Sequence, residues 1–312
     1  MFETIVGTLV PVAFVILLGY LAGQRNSFGV SDRKLLTKLV VNWLLPPLLF
    51  SGIAITPRAD LLNYKIPLIF LVGLMVPYLV VLLVCRFVFR YDQSTATVRA
   101  SLLAFPDMVF MGIPILGRLF GPTSLFPILV ANLIPMLIII PLTTVLLELS
   151  AGKGPRGGTG VSINTIFKAG REPRVWVPLV AAIFVVLNVE IPHVVIGSLN
   201  LIGEATTGLS LFVAGLIISE EKMRLNAAVA VDVLFKNLGH PAAMLATVLV
   251  FRVTGVLARE AILLAAFPSA VITTMFAEEY GVLASESSTA ILATRVLSFV
   301  TIPVVMALTR HR

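Results

Sequence analysis

Charge is scarce in this sequence. Only 12% of its 312 residues are Asp, Glu, Lys or Arg, against roughly a quarter in soluble domains, while 58% are hydrophobic and the mean hydropathy is +1.02. That balance excludes a soluble globular fold and leaves a polytopic membrane protein. Cysteine is nearly absent: Cys85, alone in an apolar run, cannot close an internal disulfide, and packing is its expected role. Histidine is almost as rare. His193, His240 and His311 are too scattered for a metal site, and no His-Glu-x-x-His, Gly-x-Gly-Asp or serine-nucleophile motif is present, so an intramembrane enzyme is not expected. Acidic residues number 16 against 23 Lys and Arg; the net charge of +7 matches basic loops that set membrane orientation, and no nucleic-acid module is visible. The first apolar run has no basic region before it and extends to about Gly23, too long for a cleaved signal, so it is read as a retained span.

What the chain does have is long apolar runs, near residues 4–23, 35–56, 66–89, 97–120, 124–147, 174–191, 194–219, 238–256, 259–280 and 286–308. They predict an all-α membrane protein of ten transmembrane helices. A glycine-rich stretch at 150–160 reads as a linker between a first five-helix repeat, 1–149, and a second, 161–312. Because five is odd, two homologous halves in one chain insert with opposite sense, giving an inverted repeat. Local agreement supports duplication: Ala104-Phe105-Pro106 and Ala266-Phe267-Pro268 fall in the fourth and ninth runs. Lys and Arg concentrate in the odd-numbered loops, Arg99 and Lys236 counted among them. This predicts a multi-pass protein of the cell inner membrane with a cytoplasmic central loop and both termini non-cytoplasmic. Residues 161–174 carry Val161, Ile163, Ile166 and Phe167 beside Lys168 and Arg171, either a short interfacial helix or the entry to the sixth span.

Pro106 and Pro268 each interrupt a run that would otherwise be one helix. Irregular backbone survives at membrane depth only where it is buried in protein or lines a cavity, so paired breaks in two halves mark the substrate site of a secondary transporter. The alternative is a pair of kinks that only shape packing. The half-helix after Pro106 offers unpaired amides at a positive dipole end, suited to an anion. Its counterpart after Pro268 adds Ser269, Thr273 and Thr274. Candidate substrate-binding residues are therefore Pro106, Asp107, Met108, Pro268, Ser269 and Thr273, with Asn42 from the interrupted segment Asn42-Trp43-Leu44-Leu45-Pro46-Pro47, and Arg295.

A carboxylate near mid-membrane costs on the order of 2.5–3.5 kcal/mol on insertion scales. Asp107 is thus a proton carrier, a sodium ligand, or an N-cap after the break. Arg295, deep in the tenth run, either pairs with Asp107 or a substrate carboxylate, or snorkels to the interface. Glu204 is a second candidate coupling-ion residue, or else lies at the outer interface. His240 reads as the cap of an entry turn, and Glu278, Glu279 and Glu286 as solvated loop charges.

Three segments together resemble the auxin efflux carrier family, which includes the plant PIN carriers and bacterial organic-acid transporters. They are Asn42 through Phe50, Phe105-Pro106-Asp107-Met108-Val109-Phe110-Met111-Gly112-Ile113-Pro114, and Phe267-Pro268-Ser269 through Gly281. The resemblance covers essentially the whole chain. It implies a fold similar to bile acid sodium symporters, with scaffold and transport domains, helices four and nine crossing at Pro106 and Pro268, and elevator-like alternating access. It also implies that Asp107 and Ser269 face the substrate. Family members usually carry asparagine at the first of these positions, so this chain has an acid where a neutral donor is usual; it would repel a carboxylate unless protonated or neutralised, for example by Arg295.

The expected function is secondary active transport of a small organic anion, a carboxylate, either proton-coupled or uniport, with Asp107 titrating in the cycle. A sodium-coupled symporter is the nearest alternative, and a non-transporting sensor or scaffold is the reading from another class. No cofactor is expected beyond a coupling ion, H+ or Na+. The partners are a small-molecule organic anion and the lipid bilayer, with no nucleic acid, and the sequence is compatible with a homodimer.

Overall fold

The computed structural model describes residues 2–150, 173–220, 226–270 and 272–309. The linker from Ala151 and the interfacial-helix segment up to residue 172 lie outside the described residues. Among the described residues every regular element is helical, and the one other pairing is an isolated antiparallel bridge. In chain order the main elements are α1 (Phe2–Gln24), α2 (Ser31–Ala54), α3 (Lys65–Val88), α4 (Gln93–Ala104), α5 (Met108–Phe120) and α6 (Pro122–Ser150). There follow α7 (Pro173–Val186), α8 (His193–Glu220), α9 (Ala227–Val250), α10 (Gly255–Ala266), α11 (Ile272–Glu279) and α12 (Ala284–Leu308). Among the described residues six helices are long and apolar enough to cross a membrane: α2, α3, α6, α8, α9 and α12. Shorter apolar helices occupy Val10–Gln24, Met108–Phe120 and Trp176–Val186. Large apolar side chains such as Phe14, Leu35, Phe87 and Val194 are exposed, as lipid-facing positions require.

Five-residue π turns widen four of the long helices, at Val40–Leu44, Val84–Val88, Pro135–Ile139 and Phe235–Gly239, and another, Met108–Gly112, opens the shorter α5. All but the second end two residues before a proline, respectively Pro46, Pro141, Pro241 and Pro114. A proline ring collides with the carbonyl one turn earlier and leaves it without a donor, and a wider turn relieves both effects without ending the helix. The helices run on through these prolines, whereas α4 and α10 end at Pro106 and Pro268.

Two compact units emerge, neither of them a contiguous half of the chain. The first comprises α1, α2, α5, α6 through Val130, α7 and α8. Within it α1 lies against α8 along small residues: a Cβ at Gly19 would land on the Phe212 carbonyl oxygen, and one at Gly23 on the Ser219 hydroxyl. Membrane helices associate through such close backbone approach. Gln24 Nε2 donates to the Ser219 carbonyl at 3.0 Å, and Phe28 meets Phe212 edge-on at 5.5 Å.

The second unit comprises α3, α4, α6 from Ala131, and α9 to α12. Its short helices α4 and α10 are almost wholly buried, from Ala96 to Ala104 and from Glu260 to Ala266. Tyr78 and Thr143 share a buried hydroxyl–hydroxyl bond of 3.0 Å, linking α3 to α6. Cys85 is a free, buried thiol, in keeping with a packing role. At the start of α4, Asp92 Oδ2 accepts from the Thr95 amide at 3.0 Å. Hydrogen bonding from the Thr95 side chain, then from backbone amides, holds this carboxyl below the usual carboxylate range, against a partial burial that raises it. A depressed carboxylate stabilises the fold above its unfolded value and stops doing so as pH falls through its folded value. Asp92→Ala is accordingly expected to lower stability by about 1 kcal/mol at neutral pH, and by less in acid, in thermal unfolding of the purified protein.

Four sequence expectations need correction here. The eighth span begins at Ala227, not near 238, because Asp232, Lys236 and Asn237 depress the hydropathy of its first half although all three are buried. Arg99 and Lys236, counted as loop cations, lie buried in α4 and α9. His240 does not cap an entry turn but sits fully buried in the middle of α9. Glu278, Glu279 and Glu286 lie in helices, the first two at the end of α11 and the third in the first turn of α12.

Candidate functional site

Pro106 and Pro268 end α4 and α10 in the same way. A proline excludes the helical conformation for the residue before it. Phe105 is accordingly extended, at φ −109° and ψ 99°, and Phe267 at φ −66° and ψ 150°. The extended segments then pair with each other. Asp107 N–H donates to the Pro268 carbonyl at 2.7 Å, Ala270 N–H donates to the Phe105 carbonyl at 2.9 Å, and Pro106 faces Ser269 in an antiparallel bridge. Each break thus supplies donors and acceptors that the other lacks.

Asp107, 3% exposed, lies at this bridge, and Arg295 Nη2 of α12 donates to its Oδ2 at 3.0 Å. Arg295 is 1% exposed, so it pairs inside the protein instead of snorkelling. One pair does not exhaust a guanidinium with five N–H donors. Arg295 Nε and Nη1 are buried and meet no hydrogen-bond partner among the described residues, and the same holds for Ser269 Oγ. Three unmatched polar atoms of Arg295 and Ser269 therefore belong to the residues around the bridge, two of them cationic donors and one a hydroxyl that can donate or accept.

The turn carrying Arg295 is held from several sides. Thr294 Oγ1 donates to Ile291 O at 2.9 Å and stands 3.4 Å from the Ser269 amide; Asn237 Nδ2 donates to Thr294 O at 3.1 Å and to Thr301 Oγ1 at 3.2 Å; Ser298 Oγ donates to Arg295 O at 2.6 Å. Thr273 spends its proton on Ala270 O, at 2.7 Å, and so braces the second break locally. The second unit therefore gathers Pro106, Asp107, Pro268, Ser269, Thr273 and Arg295. Met108, Asn42 and Glu204 belong to the first unit. Met108 is buried there. Asn42 is exposed on a π turn and lines a groove with Trp43, Phe50 and Trp176, while Glu204 is exposed and lines another cavity with Arg118 and Asn200.

Sequence reading missed two further polar pairs in the second unit. Arg99 Nη1 donates to Asp232 Oδ2 in a buried ion pair, with the Arg99 guanidinium 5.2 Å from the Tyr91 ring centre. Lys236 Nζ lies 2.7 Å from His240 Nδ1, both residues fully buried. The available signal was spacing: Asp232, Lys236 and His240 recur every four residues, the interval of one helix face.

The profile of the family described as "Membrane transport protein" matches residues 4–306. Three curated relatives, the "Uncharacterized transporter YfdV" of Escherichia coli (strain K12), of Escherichia coli O157:H7 and of Shigella flexneri, are each 29% identical over 298 residues, covering 95% of this chain and 94% of theirs. With its apolar helices and paired helix breaks, this multi-pass integral membrane protein belongs to the membrane transport protein family, the auxin efflux carrier or PIN-like family.

Proposed function

We propose that the protein is a secondary active transporter of a small organic anion, a carboxylate, and that protonation of Asp107 accompanies binding. The observation that carries this reading is the Arg295–Asp107 pair beside the two breaks, with spare Arg295 donors and the unmatched Ser269 hydroxyl. While Asp107 is ionised it occupies Arg295. A proton on Asp107 removes that charge, and the guanidinium then holds a substrate carboxylate through charge-assisted hydrogen bonds. One proton and one carboxylate enter together, and the net charge at Arg295 stays balanced. The acid at position 107 thereby serves as the competitor that substrate and proton jointly displace.

In the same reading the ten apolar runs form an inverted five-plus-five repeat of the inner membrane, residues 1–149 and 161–312, with the central loop cytoplasmic and both termini outside. The broken fourth and ninth spans cross at the bridge and move in elevator fashion. Thr273, Met108 and Asn42 are substrate-side residues of this scheme, and Glu204 a coupling residue.

Asp107→Asn keeps an acceptor for Arg295 but cannot titrate. Uptake of radiolabelled succinate into proteoliposomes is expected to lose the pH dependence contributed by Asp107 while the protein stays folded; an unaltered pH profile would refute proton coupling through this residue. Exchanging sodium for potassium in the same assay separates the sodium symporter, whose flux would collapse. Carboxylate binding by thermal shift with no flux would identify a sensor.

A further inference from the structure

Two bases lie in contact in the second unit with no anion beside them. Lys236 Nζ is 2.7 Å from His240 Nδ1 and 3.5 Å from the Ala265 carbonyl, and both side chains are fully buried. Among the described residues no carboxylate pairs with either. The ionisable groups on the packed elements are engaged or remote. Tyr78 of α3 bonds Thr143, Arg99 of α4 pairs with Asp232 of α9 beside Cys85, and Arg295 of α12 pairs with Asp107. Arg259 and Glu260 of α10 have interactions of their own, Lys65 and Arg86 stand near the two ends of α3, and Glu286 stands in the first turn of α12.

Two cations in contact inside dry protein repel strongly, so Lys236 and His240 cannot both be charged. A hydrogen bond between them requires one proton along the Nζ–Nδ1 line. His240 Nε2 makes no hydrogen bond of ordinary geometry among the described residues, although the Gly73 carbonyl lies near the ring. The Ala265 carbonyl, 3.5 Å from Lys236 Nζ, turns the end of α10 toward the pair. Ala265 is in its last turn, where free carbonyls carry roughly half a negative charge, and the chain leaves the helix at Phe267 and Pro268.

We infer that Lys236 and His240 share one exchangeable proton and form a second proton-binding site, built against the last turn before the second break. Asn237, the next residue, binds Thr294 O, and Thr294 Oγ1 stands beside the Ser269 amide, so Asn237 and Thr294 connect this turn of α9 to the bridge. Charging the pair favours the present end of α10; a shift of that end releases the proton. This deepens the proton-linked transport reading, and its first test is independent of transport.

That test follows imidazole nitrogen NMR shifts of the full-length protein in lipid between about pH 5 and pH 9, with His240→Gln identifying the His240 signals. The His240 signals are expected to move with pH as the partner at Nδ1 changes from ammonium to amine. In Lys236→Arg, whose charge is permanent, they are expected to stay constant. Signals that do not move in the unaltered protein would overturn the site, and equal movement in Lys236→Arg would assign the proton to the histidine alone. In succinate flux, Asp107→Asn is expected to retain a residual pH dependence that Asp107→Asn/Lys236→Arg lacks, and identical profiles for the two would disconnect this pair from transport. A titrating His240 in a protein that carries no succinate would defeat the transport reading while leaving the shared proton intact.

Discussion

Arg295→Leu is expected to lower stability by about 3–5 kcal/mol and to abolish transport, the largest single effect in the second unit. The loss comes less from the attraction removed than from what stays behind: Asp107, 3% exposed, keeps its carboxylate in a low-dielectric interior without the guanidinium that neutralised it. Replacing both members tests this directly, since a buried ion pair exchanged for apolar groups of similar size is often nearly neutral. Asp107→Leu/Arg295→Met should thus recover most of the lost thermal stability and none of the flux. If the double variant were as unstable as Arg295→Leu, the cost would lie in packing around α12 and not in the stranded charge. If Arg295→Leu were as stable as the unaltered protein, Asp107 would have to be neutral at rest, and the competition between substrate and carboxylate for Arg295 would be lost as a mechanism.

The second large effect belongs to the first unit. A Cβ at Gly215 would land on the Ile16 carbonyl oxygen, 2.7 Å from the Tyr20 amide nitrogen and 2.9 Å from the Gly19 Cα. All of these are backbone atoms of α1, so no rotamer change can make room. Gly215→Val should therefore reach the upper end of the roughly 1–3 kcal/mol typical of overpacking, or exceed it, as α1 is pushed from α8. Gly197, near the start of the same helix, has nothing within 4 Å of its Cβ position. Gly197→Val serves as the control and should stay within about 0.5 kcal/mol. Equal melting temperatures for the two variants would mean that the α1–α8 contact is not closed as described.

The breaks at Pro106 and Pro268 were legible in the sequence because a proline acts through its own covalent geometry: it removes one donor and restricts one neighbour wherever it stands. Asp107 and Ser269 followed as their successors. The partner of Arg295 was not legible, since pairing and snorkelling differ only in where a distant residue lies, 188 positions away in the chain. The polar stripe of α9 was misread for another reason. A hydropathy window treats any charge as the end of a span, whereas Asp232 and Lys236 are carried inside by Arg99 and His240. Four-residue spacing could have corrected this, had periodicity been set against the average. The π turns were written in the prolines two residues after most of them, yet only the coordinates separate a proline that widens a helix from one that ends it.

The reciprocal amide bonds between the segments at Pro106 and Ser269 also have a mechanical meaning. They act as a suture: neither strand can slide lengthwise without tearing two linkages inside a solventless interior. Under the transport reading proposed above, a cargo gripped there rides on one stiff carriage, and the compliance of the stroke comes from the loops feeding it.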